Sequence, residues 1–442
     1  MTFRKMKKRG CINLGATAGR MRKLLGPLAW VALALLPAVQ PTQAQGLDDK
    51  WQNISRIDLP FEYENNLIVV TVIFNKVIPL RFIFDTGAEH TILARREFAE
   101  LFGCRYEREF RVLGADMKTE LTAYLVRGIH LKLTGGTSLM QQEMNLPNHS
   151  MLVLAEDYLK LETITGTEVH GILGADAFRN LVVKIDYRKR VVTLINRSYF
   201  QLQEKEGYQS VALDIKRNKP YLETYLRTSA DSLLKVRLLL DSGAMVALLL
   251  NTGTHAGLRP PPNAIRGNVG AGLGGFIEGY LGRIQLLQMG TVSCPQVLTH
   301  FQDLSDVEVD SSVASSRDGV IGNALLRRFD LYIDYPGQRL YYRPNRNFKA
   351  AYEFDKSGLV VIATGAQLNR YLVHSVLAGS PAAEAGILAG DEILRVNRRP
   401  ALLLTLLGIQ QVLRRKAGRS VSLALRRNGA KFKADIVLRE LI

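Results

Sequence analysis

Residues Arg81–Ala94 read RFIFDTGAEHTILA, and residues Arg237–Leu250 read RLLLDSGAMVALLL. Each stretch holds an arginine, three apolar residues, an aspartate, a hydroxyl residue, a glycine and an alanine. A second apolar run follows each turn. The two aspartates, Asp85 and Asp241, are 156 residues apart. The same spacing pairs Gly114 with Gly270, Tyr124 with Tyr280, Leu125 with Leu281 and Arg127 with Arg283. Further along, GILGADAFRNLVVKIDY from Gly171 matches GVIGNALLRRFDLYIDY from Gly319 at a spacing of 148. One loop thus differs by eight residues and the register otherwise holds. A repeat of this length means one structural unit used twice, here over residues 57–197 and 209–346.

Each copy is patterned as strands. Asn66–Phe74, Val77–Phe84 and Leu181–Ile195 are rich in β-branched and aromatic residues, and Leu331–Tyr342 repeats the pattern around a Pro336-Gly337 turn. Helix is expected only at Arg95–Phe102 and in short turns after Gly174 and Gly322. The segment 352–442 differs. Its order is strand, strand, short helix, strand, helix and two strands joined at Asn428-Gly429, enough for a small domain.

The chain has 442 residues and a formal net charge of +17. Eight basic residues and no acidic one fall in residues 1–44, which leaves +9 on the rest. No basic run interleaved with aromatics remains, so no nucleic-acid partner is expected. From Met21 the chain reads MRKLLGPLAWVALALLPAVQPTQAQG: two basic residues, an apolar core, a proline, and small residues before Gln45. Residues 1–44 therefore read as a secretory signal peptide, which implies an extracytoplasmic (periplasmic or secreted) protein. Contact with a membrane is expected only if that segment stays uncleaved. Cys11 would leave with it. Cys104 and Cys294 read as two separate thiols in preference to a pair, and no CxxC or HExxH spacing supports a metal.

An aspartate among leucines has to be compensated, since a buried lone carboxylate is costly. No Lys, Arg or His lies between Arg237 and Asn251. Two carboxylates about 3 Å apart cannot both ionise, and a pair sharing one proton is a chemical device. One member acts as base on a water while the other polarises a carbonyl. The two copies supply one carboxylate each. Gly87 and Gly243 let the backbone approach closely, and Thr86 and Ser242 offer hydroxyls to the opposite turn.

FDTGA and LDSGA, each followed by an apolar-apolar-glycine triplet (Ile172-Leu173-Gly174 and Val320-Ile321-Gly322), resemble the pepsin- and retropepsin-type aspartic proteases. The resemblance covers most of residues 57–346. It implies a mainly β, bilobal aspartic-protease β-barrel fold, with Asp85 and Asp241 as the catalytic pair. Thr86, Gly87, Ser242 and Gly243 match the supporting loops. Ala88 and Ala244 resemble retroviral-type enzymes, a feature that implies activity at milder pH. The chain would then be a fused dimer that needs no partner to complete its pair. The family also closes a flap over its substrate. Gly267–Gly282 and Val112–Leu125 stand where the two flaps belong, with Gly114, Gly270, Gly272 and Gly274 as candidate substrate-contacting residues. Gly270–Gly275 also fits G-x-G-x-x-G, but no helix-forming stretch follows, and a dinucleotide fingerprint requires one. The implied partner is a peptide or protein substrate, and no cofactor is implied.

Ser380–Ile387 (SPAAEAGI) and Gly390–Asn397 (GDEILRVN) resemble a PDZ domain of the bacterial type. Such a domain adds a peptide strand to a sheet edge and captures a terminal carboxylate with backbone N–H groups. Ser357-Gly358-Leu359-Val360 form the matching loop, with Gly358, Leu359 and Val360 as candidate peptide-binding residues and the helix near Leu404–Arg415 as the far wall. This loop departs from the usual Gly-Leu-Gly. Carboxylate capture, internal-peptide binding and docking on the other two lobes all stay open.

The remaining repeated residues have plainer readings. Asp186 and Asp334 sit at strand ends near turns, Tyr124 and Tyr280 pack between strands, Arg81 and Arg237 face outward, and Glu89 and His90 form a solvated rim. The resulting expectation is an aspartic endopeptidase with a PDZ-like domain for peptide binding or regulation. The alternative is a non-cleaving peptide-binding scaffold that uses the cleft and the PDZ domain.

Overall fold

The computed structural model describes residues 55–442, apart from 116, 118, 138–139, 159–160, 203–205, 229–232, 273–274 and 305–316. The expected leader (residues 1–44) and Gly274 lie outside the described residues. The first lobe contains β1 (Arg56–Glu64), β2 (Leu67–Phe74), β3 (Ile78–Phe84), β4 (Ile92–Leu93), α1 (Arg96–Leu101), β5 (Tyr106–Leu113), β6 (Glu120–Thr137), β7 (Met140–Leu154), α2 (Leu161–Thr165), β8 (Gly171–Leu173), β9 (Leu181–Asp186) and β10 (Val191–Asn196). The second contains β11 (Gln209–Ala212), β12 (Asp214–Lys216), β13 (Lys219–Arg227), β14 (Leu234–Leu240), β15 (Leu248–Asn251), β16 (Ile265–Gly272), β17 (Gly275–Met289), β18 (Val292–Gln302), β19 (Gly319–Ile321), α3 (Asn323–Leu326), β20 (Phe329–Asp334) and β21 (Arg339–Pro344).

The repeat in sequence is a repeat in pairing. β3 runs parallel to β8 with Phe82, Ile83 and Phe84 opposite Gly171, Ile172 and Leu173. β14 runs parallel to β19 with Leu238, Leu239 and Leu240 opposite Gly319, Val320 and Ile321. β4 pairs parallel with β7, as β15 does with β18. Strands such as β3 and β14 are apolar at successive positions because both faces are covered. Tight turns set the registers: Asn65-Asn66, Asn75-Lys76 and Arg217-Asn218 all have positive φ, the backbone that two-residue hairpins of the right twist require.

The lobes join beneath the cleft. β20 pairs antiparallel with β9, Leu331 opposite Ile185 and Ile333 opposite Val183, which makes one sheet continuous through both lobes. A single apolar core runs under it, from Phe74, Phe84 and Phe178 to Leu238, Phe301 and Phe329. Asp186 accepts N–H bonds from Arg188 and Lys189, and Asp334 accepts one from Gly337 and pairs with Arg197, so both brace turns. Arg81 reaches outward to Glu62, whereas Arg237 lies half-buried over the Tyr221 ring, 3.8 Å away, with Asp214 on its far side. Both described cysteines are free; Cys294 is buried and Cys104 half-buried.

The C-terminal domain holds β22 (Leu359–Thr364), β23 (Arg370–Val376), α4 (Pro381–Glu384), β24 (Glu392–Val396), β25 (Arg399–Pro400), α5 (Leu406–Leu413), β26 (Ser420–Arg427) and β27 (Ala430–Val437). It has its own core around Val361, Tyr371, Ile393, Ile409 and Leu423. Ser380 caps α4, with Pro381 at its first position. Asn428 and Gly429 make the last turn, both at positive φ.

Candidate active site

The apolar strands β3 and β14 end at Asp85 and Asp241. Each aspartate is fixed by its own N–H, which donates to Leu173 (3.0 Å) and Ile321 (2.9 Å) respectively. The two turns then lock together. Thr86 N–H donates to Ser242 Oγ and Ser242 N–H donates to Thr86 Oγ1, both at 3.0 Å. Each hydroxyl in turn donates to a backbone carbonyl at 2.8 Å, Thr86 to Leu240 and Ser242 to Phe84. Both residues are fully buried, so every polar atom of the joint is paired where an unpaired one would be costly.

The joint brings the carboxyl groups of Asp85 and Asp241 within hydrogen-bonding reach of each other. Each is half-buried. The glycines are required by proximity: a Cβ on Gly87 would stand 2.5 Å from Asp241 Cγ, and one on Gly243 would collide with the Asp85 carboxyl in the same way. Asp85 Oδ1 accepts from Gly87 N–H (2.7 Å) and Ala88 N–H (3.0 Å); Asp241 Oδ1 accepts from Gly243 N–H (2.7 Å). Burial raises Asp85 well above the usual carboxylate range. The neighbouring charge and hydrogen bond of Asp241 push it the same way, and the two amides pull back. The setting therefore favours the protonated form of Asp85. Below them lie stacked Phe84 and Phe178 (4.4 Å between centroids) and Tyr335 edge-on to Phe178 (5.7 Å). Burial, then the charges of Asp85 and Asp241, raise the Tyr335 phenol, so it stays neutral.

Two apolar clusters flank the pair. Ile83, Ile172, Leu125 and Ala88 belong to the first, and their repeat equivalents Leu239, Val320, Leu281 and Ala244 to the second. The second also receives Tyr352, Phe354 and Ile442 from beyond the lobe, and Ala115 from the first-lobe hairpin.

Both expected flaps are hairpins. β5 and β6 close around Gly114, whose N–H donates to Thr119 (2.7 Å). β16 and β17 pair Gly270 with Ile277 and Gly272 with Gly275, with a register shift between Asn268 and Gly270. Phe276 of the second hairpin stacks on His374 of the C-terminal domain at 3.8 Å. Tyr124 lies against the Tyr106 ring (5.3 Å), Tyr280 packs on the core, and His90 is exposed.

Residues not foreseen from the sequence support the joint unequally. Asn323 Nδ2 donates to the carbonyls of Ser242 (2.5 Å) and Asn66 (2.7 Å), and its Oδ1 accepts from Tyr187 Oη (2.6 Å). Asn66 Nδ2 donates to Met245 O (3.1 Å). Asn323 occupies the repeat position of Ala175. A polar residue in one copy opposite alanine in the other is the signal that marks it. In the first lobe Asp176 takes the bracing role, accepting from Thr91 N–H (2.9 Å) and Thr91 Oγ1 (2.7 Å). Among the described residues no three His, Cys, Asp or Glu side chains gather as a metal site.

Of the three readings left open for the loop before β22, carboxylate capture meets amides that are already in use. Asp355 Oδ1 accepts from Ser357 N–H (2.9 Å), Ser357 Oγ (2.8 Å), Gly358 N–H (2.6 Å) and Leu359 N–H (3.3 Å). The Gly358 amide is already taken by the chain's own carboxyl, and the Leu359 amide is shared between that carboxyl and Ser357 Oγ (3.1 Å). Val360 lies in β22, opposite Ser375.

Comparison with known proteins adds the following. Residues 70–177 match the aspartyl protease family, and residues 372–427 match the PDZ domain family. No curated protein matches the chain. Among solved structures, conglutin gamma from lupine seeds is 10% identical, covering 66% of this chain and 95% of its own, with a TM-score of 0.42. The aspartic proteinase of Irpex lacteus is 13% identical, covering 67% and 99%, with a TM-score of 0.38. The resemblance drawn from the DTGA and SPAAEAGI stretches is matched by family over residues 70–177 and 372–427, and the fold is mainly β with a PDZ domain at its C-terminal end.

Proposed function

We propose that this protein is an aspartic endopeptidase whose two lobes supply one carboxyl each to a single catalytic pair. The observation that carries the reading is the reciprocal joint: Thr86 and Ser242 interlock the turns, and each glycine makes room for the opposite aspartate. A water between Asp85 and Asp241 loses a proton to the ionised carboxylate and attacks the peptide carbonyl carbon. The protonated partner donates to the carbonyl oxygen, giving a tetrahedral diol. Proton transfer to the amide nitrogen then breaks the C–N bond, releasing an acid and an amine and restoring one shared proton. No covalent enzyme intermediate forms. The hairpins at Gly114 and Gly270 shield the site, and the apolar clusters beside the pair receive the flanking side chains.

The setting is extracytoplasmic, a reading that rests on the sequence from Met21 to Gln45. N-terminal sequencing of the secreted protein is expected to start at Gln45. The function is tested by digesting a mixed peptide library with the purified chain and its Asp241→Asn variant across acidic to mildly alkaline pH. Cleavage by the parent and none by the variant is expected. An inert parent, or a variant that cleaves as well, removes the reading.

A further inference from the structure

In a PDZ domain a ligand lies between an edge strand and a helix, its end held by loop amides. Here β22 is the edge strand of its sheet, pairing only with β23, and α5 is the facing helix. That place is taken. Helix α2 of the first lobe lies against β22. Gly166, directly after α2, sits so close to the first residue of α5 that a Cβ on it would stand 2.7 Å from Leu406 Cβ. The segment is held from its own lobe as well, since Asn65 Nδ2 donates to the carbonyls of Ile164 (3.3 Å) and Thr165 (3.0 Å). Thr165 is buried. The loop amides, meanwhile, are satisfied by Asp355 and by Ser357 Oγ.

The linker keeps this arrangement in place. Arg328 stacks on the Tyr352 ring, 3.6 Å away, and its guanidinium donates to the carbonyls of Asn347, Phe348, Ala350 and Ala351. Arg283 donates to Tyr352 O (3.4 Å). On another side, His374 stacks on Phe276 of the second flap, and Leu377 closes on Gly267.

The geometry points to the PDZ groove as a socket for residues 161–166 of this chain's own first lobe, with Asp355 standing in for a ligand's terminal carboxylate. The domain is an internal clasp between the first lobe and the second flap. An outside ligand has to displace the segment before it binds. It is then recognised as an internal stretch of chain, without preference for a free carboxyl end. The inference concerns binding and stands whether or not the cleft cuts peptides.

The test uses the full chain and two labelled peptides of the sequence Tyr158–Thr167, one blocked at both ends and one with a free carboxyl terminus. Gly166 has a φ of +72° and no room for a side chain, so Gly166→Arg is expected to expel the segment. Fluorescence anisotropy is expected to show at least tenfold tighter binding by this variant than by the parent, equal for the two peptides. Asp355→Ala, added to Gly166→Arg, frees the Gly358 amide and is expected to shift preference at least tenfold toward the free carboxyl. Equal binding by parent and Gly166→Arg overturns the occupied socket. A free-carboxyl preference with Asp355 intact overturns its stand-in role. Should Gly166→Arg not fold, Asn65→Ala, which removes both bonds to the carbonyls of Ile164 and Thr165, decides: tighter binding of the labelled peptides than by the parent supports the socket, and binding equal to the parent refutes it.

Discussion

The two lobes have the same strands, the same parallel pairings and the same aspartate turn, yet they brace that turn by different means. The first uses Thr91 and Asp176, both from its own chain segment. The second uses Asn323, which is held by Tyr187 and reaches Asn66, both in the other lobe. Support of the second turn is therefore shared across the interface, while support of the first is local. The pair at the centre is close to symmetric and its scaffold is not. The family match extends over residues 70–177 and includes only the first aspartate.

The largest effect tests the symmetric part. Asp85→Asn and Asp241→Asn are each expected to lower peptide hydrolysis about 10³-fold or more, because each removes the shared proton's place. A much smaller loss for either one would show that the lobes do not contribute equally, and kcat on a cleaved peptide decides it. Next come Gly87→Ala and Gly243→Ala. Each drives a methyl group into the opposite carboxyl, with an expected loss of about 10²-fold from misplacement of roughly 1 Å. Circular dichroism is expected to show both variants folded.

A third comparison concerns stability. The folded protein holds a proton on Asp85 more tightly than the unfolded chain does. Its stabilising contribution is thus full below the ordinary aspartate pKa and is lost as pH rises through the raised folded value. Asp85→Asn is expected to be the more stable protein at neutral pH, by about 1–4 kcal/mol, with the gap closing in acid. Urea melts at several pH values measure it; a gap that widens in acid contradicts the shared proton.

The smallest expected effect separates the lobes. Asn323→Ala leaves the Tyr187 hydroxyl and the Ser242 carbonyl short of partners and is expected to cost about 1–3 kcal/mol. In a double-mutant cycle Asn323→Ala should couple to Tyr187→Phe, by more than about 0.5 kcal/mol, and add independently with Asp176→Ala. Coupling to Asp176 instead would mean that both turns share one brace.

What was legible beforehand follows from where each interaction lies along the chain. The strand, turn and hydroxyl around Asp85 and Asp241 are local and occur twice, so the register alone aligned them. Asn428-Gly429 announced its hairpin for the same reason. The Asn323–Tyr187–Asn66 brace joins residues far apart in sequence, and the repeat flagged it only as a mismatch with Ala175. Asp355 was missed because the reading of that loop began at Ser357, and a carboxyl just upstream takes the Gly358 amide. The seating of residues 161–166 on β22 depends on two domains meeting, which no local pattern encodes.

The central claim is that Asp85 and Asp241 act as one unit around one proton. It is tested most directly by following the Asp85 carboxyl by carbon NMR through a pH titration of the full chain and of Asp241→Asn. Asp85 is expected to titrate well above the ordinary carboxylate range in the parent and to move down toward it when the Asp241 charge is removed. An Asp85 titration that Asp241→Asn leaves unchanged would contradict the pair.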